Sequence, residues 1–210
     1  MKGYLRKIIP FSSVDGPGNR TAIFLQGCNF NCLYCHNPET IEIASPNKSI
    51  KDVQSIDSSE LVEKALEYKD FIQGITISGG ECTVQIEFLI EVCKKFKEKN
   101  VEVYIDTNGH LPLRSFMELT KYVDRFMFDI KSWNSEEHLG LTGVGNEKVI
   151  ENFKYAMEIG KVFEVRTVIV PEILNNYQTV LEVSCLTSSF KHKIRYKLIK
   201  FRNKGVQGKL

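Results

Sequence analysis

Apolar, β-branched runs alternate along the chain with amphipathic stretches, the pattern of repeated βα units around a parallel sheet. Six runs predict strands: Thr21 to Gln26, Gly74 to Ser78, Val101 to Thr107, Val123 to Ile130, Val162 to Val170 and Tyr196 to Phe201. Five stretches predict helices: Ser58 to Tyr68, Gln85 to Lys99, Pro112 to Lys121, Glu147 to Ile159 and Asn176 to Phe190. Ser58-Ser59-Glu60 and Asn146-Glu147 mark helix starts, and Asn100 and Gly160 mark stops. The expectation is an α/β fold in a single domain over residues 1–210, because 210 residues with 42% hydrophobic content can bury a sizeable core. No internal repeat or low-complexity segment competes with it.

Charge adds one asymmetry. The formal net charge is +2, yet residues 191–210 carry eight Lys or Arg and no acid, so the remainder is net acidic. A basic end can meet nucleic acid, phosphate or an acidic partner, and it can equally be a solvated terminus. No stretch approaches the ~20 apolar residues that span a bilayer. Six cysteines without an apolar leader do not make a disulfide framework, which points to the cytoplasm. Cys82, Cys93 and Cys185 are scattered and read as buried thiols.

The chemistry concentrates in Gly27-Cys28-Asn29-Phe30-Asn31-Cys32-Leu33-Tyr34-Cys35-His36-Asn37-Pro38, where Cys28, Cys32 and Cys35 form a CxxxCxxC triplet. Three thiolates in eight residues can wrap one soft metal centre. An iron-sulfur cube needs four ligands, so one iron would stay open to a substrate or cofactor. A structural zinc site closes with four ligands, and His36, adjacent to Cys35, is awkwardly placed to be the fourth. A zinc knuckle and chance clustering are the plain alternatives.

With Gly79-Gly80-Glu81 and Asp106-Thr107-Asn108-Gly109, the triplet resembles the radical S-adenosylmethionine (SAM) superfamily. Val14-Asp15-Gly16-Pro17-Gly18-Asn19-Arg20 and Cys35-His36-Asn37-Pro38 resemble the glycyl-radical-enzyme activating enzymes, of which pyruvate formate-lyase activating enzyme is the best known. Ser78-Gly79-Gly80-Glu81-Cys82-Thr83 and Phe201-Arg202-Asn203-Lys204-Gly205-Val206 look most like the YjjW-type branch. The likeness runs in motif order from about residue 5 to the C-terminus.

This resemblance implies a (βα)6 partial TIM barrel with parallel strands, whose motifs fall at strand C-terminal ends where barrel enzymes build their sites. It implies one 4Fe-4S cluster on Cys28, Cys32 and Cys35, with SAM chelating the fourth iron. Reductive cleavage would give a 5'-deoxyadenosyl radical that abstracts hydrogen from a backbone glycine of a partner glycyl radical enzyme. Reduced flavodoxin or ferredoxin would donate the electron. Neither nucleic acid nor membrane is implied as a partner, and the enzyme would be a monomer.

By the same resemblance, Tyr34 and His36 line the adenine side. Gly79 and Gly80 receive the methionine ammonium group, and Glu81 bonds that group or orients the loop. Lys131 and Arg166, charged residues at the ends of apolar strands, meet the cofactor carboxylate and ribose. Arg202 stands where the pyruvate formate-lyase activating enzyme has a cofactor-contacting histidine. Asp106, Thr107, Asp129 and the carbonyl of Met127 surround a monovalent cation, a hard ion suited to oxygen ligands. The competing view is that Asp106 caps a turn and Asp129 pairs with Lys131. Asp15 would contact the substrate, while Trp133 and His138 receive no role.

Two departures follow. Residues 38–57 contain no cysteine, so the ferredoxin-like insert of many relatives is missing and one cluster is expected. The chain also ends soon after its sixth predicted strand, where relatives continue through another helix. The enzymatic alternatives are an anaerobic ribonucleotide reductase activase or a small-molecule radical SAM enzyme. From another class, a non-catalytic iron-sulfur electron-transfer protein competes.

Overall fold

A computed structural model describes residues 1–190 and 193–202. The later part of the basic run and the motif residues 203–206 lie outside the described residues. In chain order the elements are β1 (Lys2–Ser12), β2 (Arg20–Leu25), β3 (Gln54–Asp57), α1 (Ser58–Ala65), β4 (Gly74–Gly79), α2 (Ile86–Glu98), β5 (Val103–Thr107), α3 (Leu113–Thr120), β6 (Arg125–Asp129), α4 (Ser135–Thr142), α5 (Glu147–Glu158), β7 (Val162–Ile169), α6 (Asn176–Ser188) and β8 (Arg195–Lys200). Short 3-10 turns cover Pro38–Thr40, Lys69–Phe71 and Cys82–Gln85.

The chain divides into two compact units. The first comprises Met1–Asn29, Glu39–Asp106 and Arg114–Arg125; the second comprises Phe30–Pro38, Thr107–Leu113 and Phe126–Leu210. In the first, β2, β4 and β5 are parallel neighbours, and their near-continuous apolar runs are buried on both faces. β1 lies antiparallel to β2, and β3 antiparallel to the start of β1. In the second, β6, β7 and β8 are parallel.

Each of the six predicted strands is present within one or two residues of its expected bounds, and five of the six helices are among those predicted. α2 buries Phe88, Leu89, Val92, Cys93 and Phe96 at helical spacing. Asn100 (φ 54°) and Gly160 (φ 67°) end their helices in the left-handed region, as stop residues do.

α1 begins at Ser58 as expected, and its cap is Asp57, whose carboxylate accepts the Ser59 N–H at 2.9 Å. Two expectations are corrected. Two antiparallel strands and α4 were not expected. β1 hides its periodicity behind two register shifts and Pro10, and β3 covers only its first residues, Lys2 to Leu5. Cys185 is exposed, because α6 turns Thr179 and Val183 inward and carries Cys185 on its other side. Cys82 and Cys93 are buried as expected.

Arg20 anchors the first unit from inside. Its guanidinium has no solvent exposure, pairs with Glu102 at 2.7 Å, donates to Thr76 Oγ1 and the Ile75 carbonyl at 2.9 Å, and stacks 4.1 Å over Tyr104. The Asp15 turn is bound to the same region. Its carbonyl accepts from Thr76 Oγ1, and its carboxylate from Ser12 Oγ, both at 2.5 Å. Gly16 (φ 119°) and Gly18 (φ 71°) supply the left-handed backbone that turn needs.

Candidate active site

In the first unit, the segment entering the cysteine loop is laced by main-chain bonds. The N–H groups of Gly27 and Cys28 donate to the carbonyls of Thr40 and Ile41 at 3.0 Å, and the Glu81 N–H donates to Gly27 O at 2.8 Å. This lacing accounts for the glycine pair. A Cβ on Gly79 (φ 144°) would stand 2.1 Å from Leu25 O, and one on Gly80 would stand 2.6 Å from both Gly27 O and Thr40 O. The Glu81 side chain is buried and caps the following turn, accepting from Thr83 N at 3.1 Å and Thr83 Oγ1 at 2.7 Å. Asp106, at the end of β5, accepts from Ser78 Oγ at 3.2 Å.

In the second unit, Cys32, Tyr34, Asp129, Lys131 and Arg166 come together. Asp129 pairs with Lys131 Nζ at 2.8 Å and lies 3.6 Å from Arg166 Nε, which pairs with Glu164 at 3.1 Å. Burial works to raise the pKa of Asp129, but Lys131 and Arg166 outweigh it and hold the carboxyl below its ordinary value. Burial works the other way on Lys131, and Asp129 holds that ammonium well above its usual range. Both groups are therefore charged at neutral pH.

Lys131 Nζ also sits 5.9 Å over the Tyr34 ring. Tyr34 is buried with Leu141 and Val170, Cys32 packs against that cluster, and the Tyr34 hydroxyl has no hydrogen-bond partner among the described residues. Burial raises the Cys32 thiol above its ordinary value, with Lys131 opposing. His36 Nε2 bonds the Arg202 carbonyl at 2.7 Å, and its ring stacks on Phe201 with centroids 6.4 Å apart. The Arg202 contact is thus made by backbone, and the residue is exposed.

Met127 is buried within β6, and Thr107 Oγ1 accepts the Gly109 N–H at 2.9 Å. Among the described residues no three His, Cys, Asp or Glu side chains form a ready-made metal cage, and of the residues expected around a cation Asp106 belongs to the first unit and Thr107, Met127 and Asp129 to the second.

Sequence reasoning passed over the residues that hold the strand-end loops. Asn152 donates to the carbonyls of Gly109 and Leu111 at 2.8 Å, Asn146 to those of Ser132 and Trp133, and Asn176 to that of Val168. For Asn152 the signal was a polar residue on the apolar stripe Val149, Phe153, Ala156.

The chemistry of the donors suits an iron-sulfur cluster: the six cysteines carry thiols and no disulfides, and the three in the loop are half-buried soft ligands, although among the described residues they are not gathered into a ready-made cage. The chain belongs to the radical SAM superfamily, whose family model matches residues 22–182. More narrowly, it is 31% identical to the pyruvate formate-lyase-activating enzyme of Streptococcus mutans, over 97% of this chain and 79% of that protein.

Solved structures agree on the fold. SuiB of Streptococcus suis bound to S-adenosylmethionine superposes with a TM-score of 0.66 at 18% identity, over 88% of this chain and 42% of SuiB. This chain thus spans about two fifths of that protein. QueE from Escherichia coli gives a TM-score of 0.62 at 14% identity, over 97% of this chain and 86% of its own. The fold is the α/β fold of radical SAM enzymes.

Proposed function

We propose that this chain is an activating enzyme that installs a radical on a backbone glycine of a partner glycyl radical enzyme. The observation that carries the reading is the three-cysteine loop, one of whose members, Cys32, lies beside the charged group Asp129–Lys131–Arg166, in a chain 31% identical to a pyruvate formate-lyase-activating enzyme. When bound, a reduced 4Fe-4S cluster supplies the electron that cleaves SAM to methionine and the 5'-deoxyadenosyl radical, which takes the glycine hydrogen.

The chain's own residues bind and orient. Cys28, Cys32 and Cys35 hold the cluster. Lys131 and Arg166 offer positive charge to a carboxylate, and Asp129 keeps the Lys131 ammonium charged. Tyr34 and His36 present rings to adenine, and Gly79 and Gly80 offer a turn kept rigid by its packing on the backbone of Leu25, Gly27 and Thr40. Glu81 orients that turn, since its carboxylate is taken up by Thr83. Arg202, exposed beside the His36 ring, reaches for the ribose. Asp106, Thr107, the Met127 carbonyl and Asp129 take a monovalent cation.

One radical SAM domain with one cluster, working as a monomer in the cytoplasm with reduced flavodoxin or ferredoxin as donor, completes the reading. Thiols in place of disulfides support a reducing compartment. No helix among the described residues is long and apolar enough to cross a membrane.

Anaerobic reconstitution tests the cluster assignment. The chain should take up about four irons, the content of one cube. Ala at Cys28, Cys32 or Cys35 should abolish uptake, while Ala at Cys82, Cys93 or Cys185 should leave it intact. Equal iron loss at Cys82 or Cys93, or roughly eight irons per chain, would overturn it.

A further inference from the structure

The loop residues Phe30 to Cys35 are seated on the last turn of α4. The Asn31 N–H donates to Thr142 O at 2.9 Å, and the Leu33 N–H to Leu141 O at 3.0 Å. Cys32 lies between these two anchored amides, and the Cys35 N–H closes a turn onto Cys32 O at 3.1 Å. Terminal carbonyls of a helix lack intrahelical donors, and here the loop supplies them. Gly143 makes this possible: at φ 84° it ends the helix and bonds Leu139 O at 2.8 Å, leaving the carbonyls of residues 141 and 142 to the loop.

His138 fastens this turn from beneath. It has no solvent exposure, and its Nδ1 lies 2.8 Å from Val144 O. A carbonyl can only accept, so Nδ1 carries the proton and the imidazole ties the chain beyond Gly143 back to the helix. Thr142 Oγ1 bonds the His138 carbonyl at 2.8 Å within the same knot. Phe30 packs edge-on against the His138 ring, centroids 5.3 Å apart. The other ring nitrogen, Nε2, is buried with no hydrogen-bond partner among the described residues. An apolar ring would avoid that cost, so what distinguishes histidine here is the bond to Val144.

We propose that the end of α4 is a seat that shapes the Cys32–Cys35 turn before a cluster arrives, and that His138 is its positioning residue. A ligand turn held in place loses less conformational freedom when the metal binds, which favours loading. The proposal rests on the reading of Cys28, Cys32 and Cys35 as cluster ligands.

Amide exchange on the metal-free, full-length chain tests it. The Asn31 and Leu33 amides should exchange slowly. In His138→Phe, which keeps ring bulk and loses the bond, both should exchange roughly tenfold faster, the factor expected for one lost hydrogen bond. The Phe128 and Val165 amides of β6 and β7 should not change. Alkylation of Cys32 should quicken and iron uptake during reconstitution should slow. His138→Asn, whose side-chain N–H can reach Val144 O, should restore all three. Should His138→Phe fail to fold, Thr142→Val is read in the same way.

Unprotected Asn31 and Leu33 amides in the natural chain would overturn the proposal. So would variants that leave them unchanged, or that loosen β6 and β7 equally. If both amides are protected and the natural chain takes up no iron, the cluster assignment fails and the seat does not.

Discussion

Arg20 shows how a single residue of a recognisable motif can be structural. Its fork of donors meets Glu102, Thr76 and the Ile75 carbonyl at once, a geometry that a lysine ammonium cannot reproduce. Arg20→Lys should therefore lower the unfolding free energy by about 3 kcal/mol, in the range seen when a buried charged group loses its partners. Urea denaturation measures this, and a change below about 0.5 kcal/mol, the scale of a surface substitution, would refute it. His138 gives a second expectation at this scale. Burial depresses its pKa below 6.5, as it does for His110, so the folded chain holds both neutral while the unfolded chain protonates them. Their contribution is fully present above pH 6.5, declines below it, and is lost once pH falls through the folded values. Unfolding midpoints at pH 7.5 and 5.5 should drop more in the natural chain than in His138→Phe; equal drops would contradict the account.

Elements were legible in the sequence in proportion to how strongly their burial imposes a period. β2, β4, β5, β6 and β7 are enclosed on both faces and read as apolar runs, whereas β1, with Pro10 and two register shifts, did not. α4 was missed although Asn134 caps it and Gly143 stops it, because Gly140 sits inside it and two of its three buried residues, His138 and Thr142, are polar, so its buried face carries no apolar stripe. That omission mattered, since α4 carries the cysteine loop. The turn between β4 and its 3-10 helix offers a direct check on packing. Gly80→Ala would push a methyl to 2.6 Å from Gly27 O and Thr40 O, contacts that belong to fixed backbone. The variant should lose about 1–3 kcal/mol of stability, the cost of overpacking, and should weaken cofactor retention. A Gly80→Ala chain with the natural unfolding midpoint would show that this turn is not the rigid element described.

For the whole molecule, the motifs revealed the chemistry better than they revealed its support. The cysteine triplet, the glycine pair and the charged strand ends were visible as residues, and Cys32, Tyr34, Asp129, Lys131 and Arg166 do converge in the second unit. The hydrogen bonds that hold the loops were not visible, because Asn146, Asn152, Asn176 and His138 act through carbonyls of residues far away or on neighbouring turns. The central claim is hydrogen abstraction from a protein glycine, and isotope transfer tests it most directly. The reconstituted, reduced chain is mixed with SAM and a co-encoded glycyl radical enzyme deuterated at the glycine α-carbon. Deuterium should appear in 5'-deoxyadenosine as the partner gains an organic radical signal. SAM cleavage with the label still in every such partner would contradict protein activation and point to a small-molecule substrate.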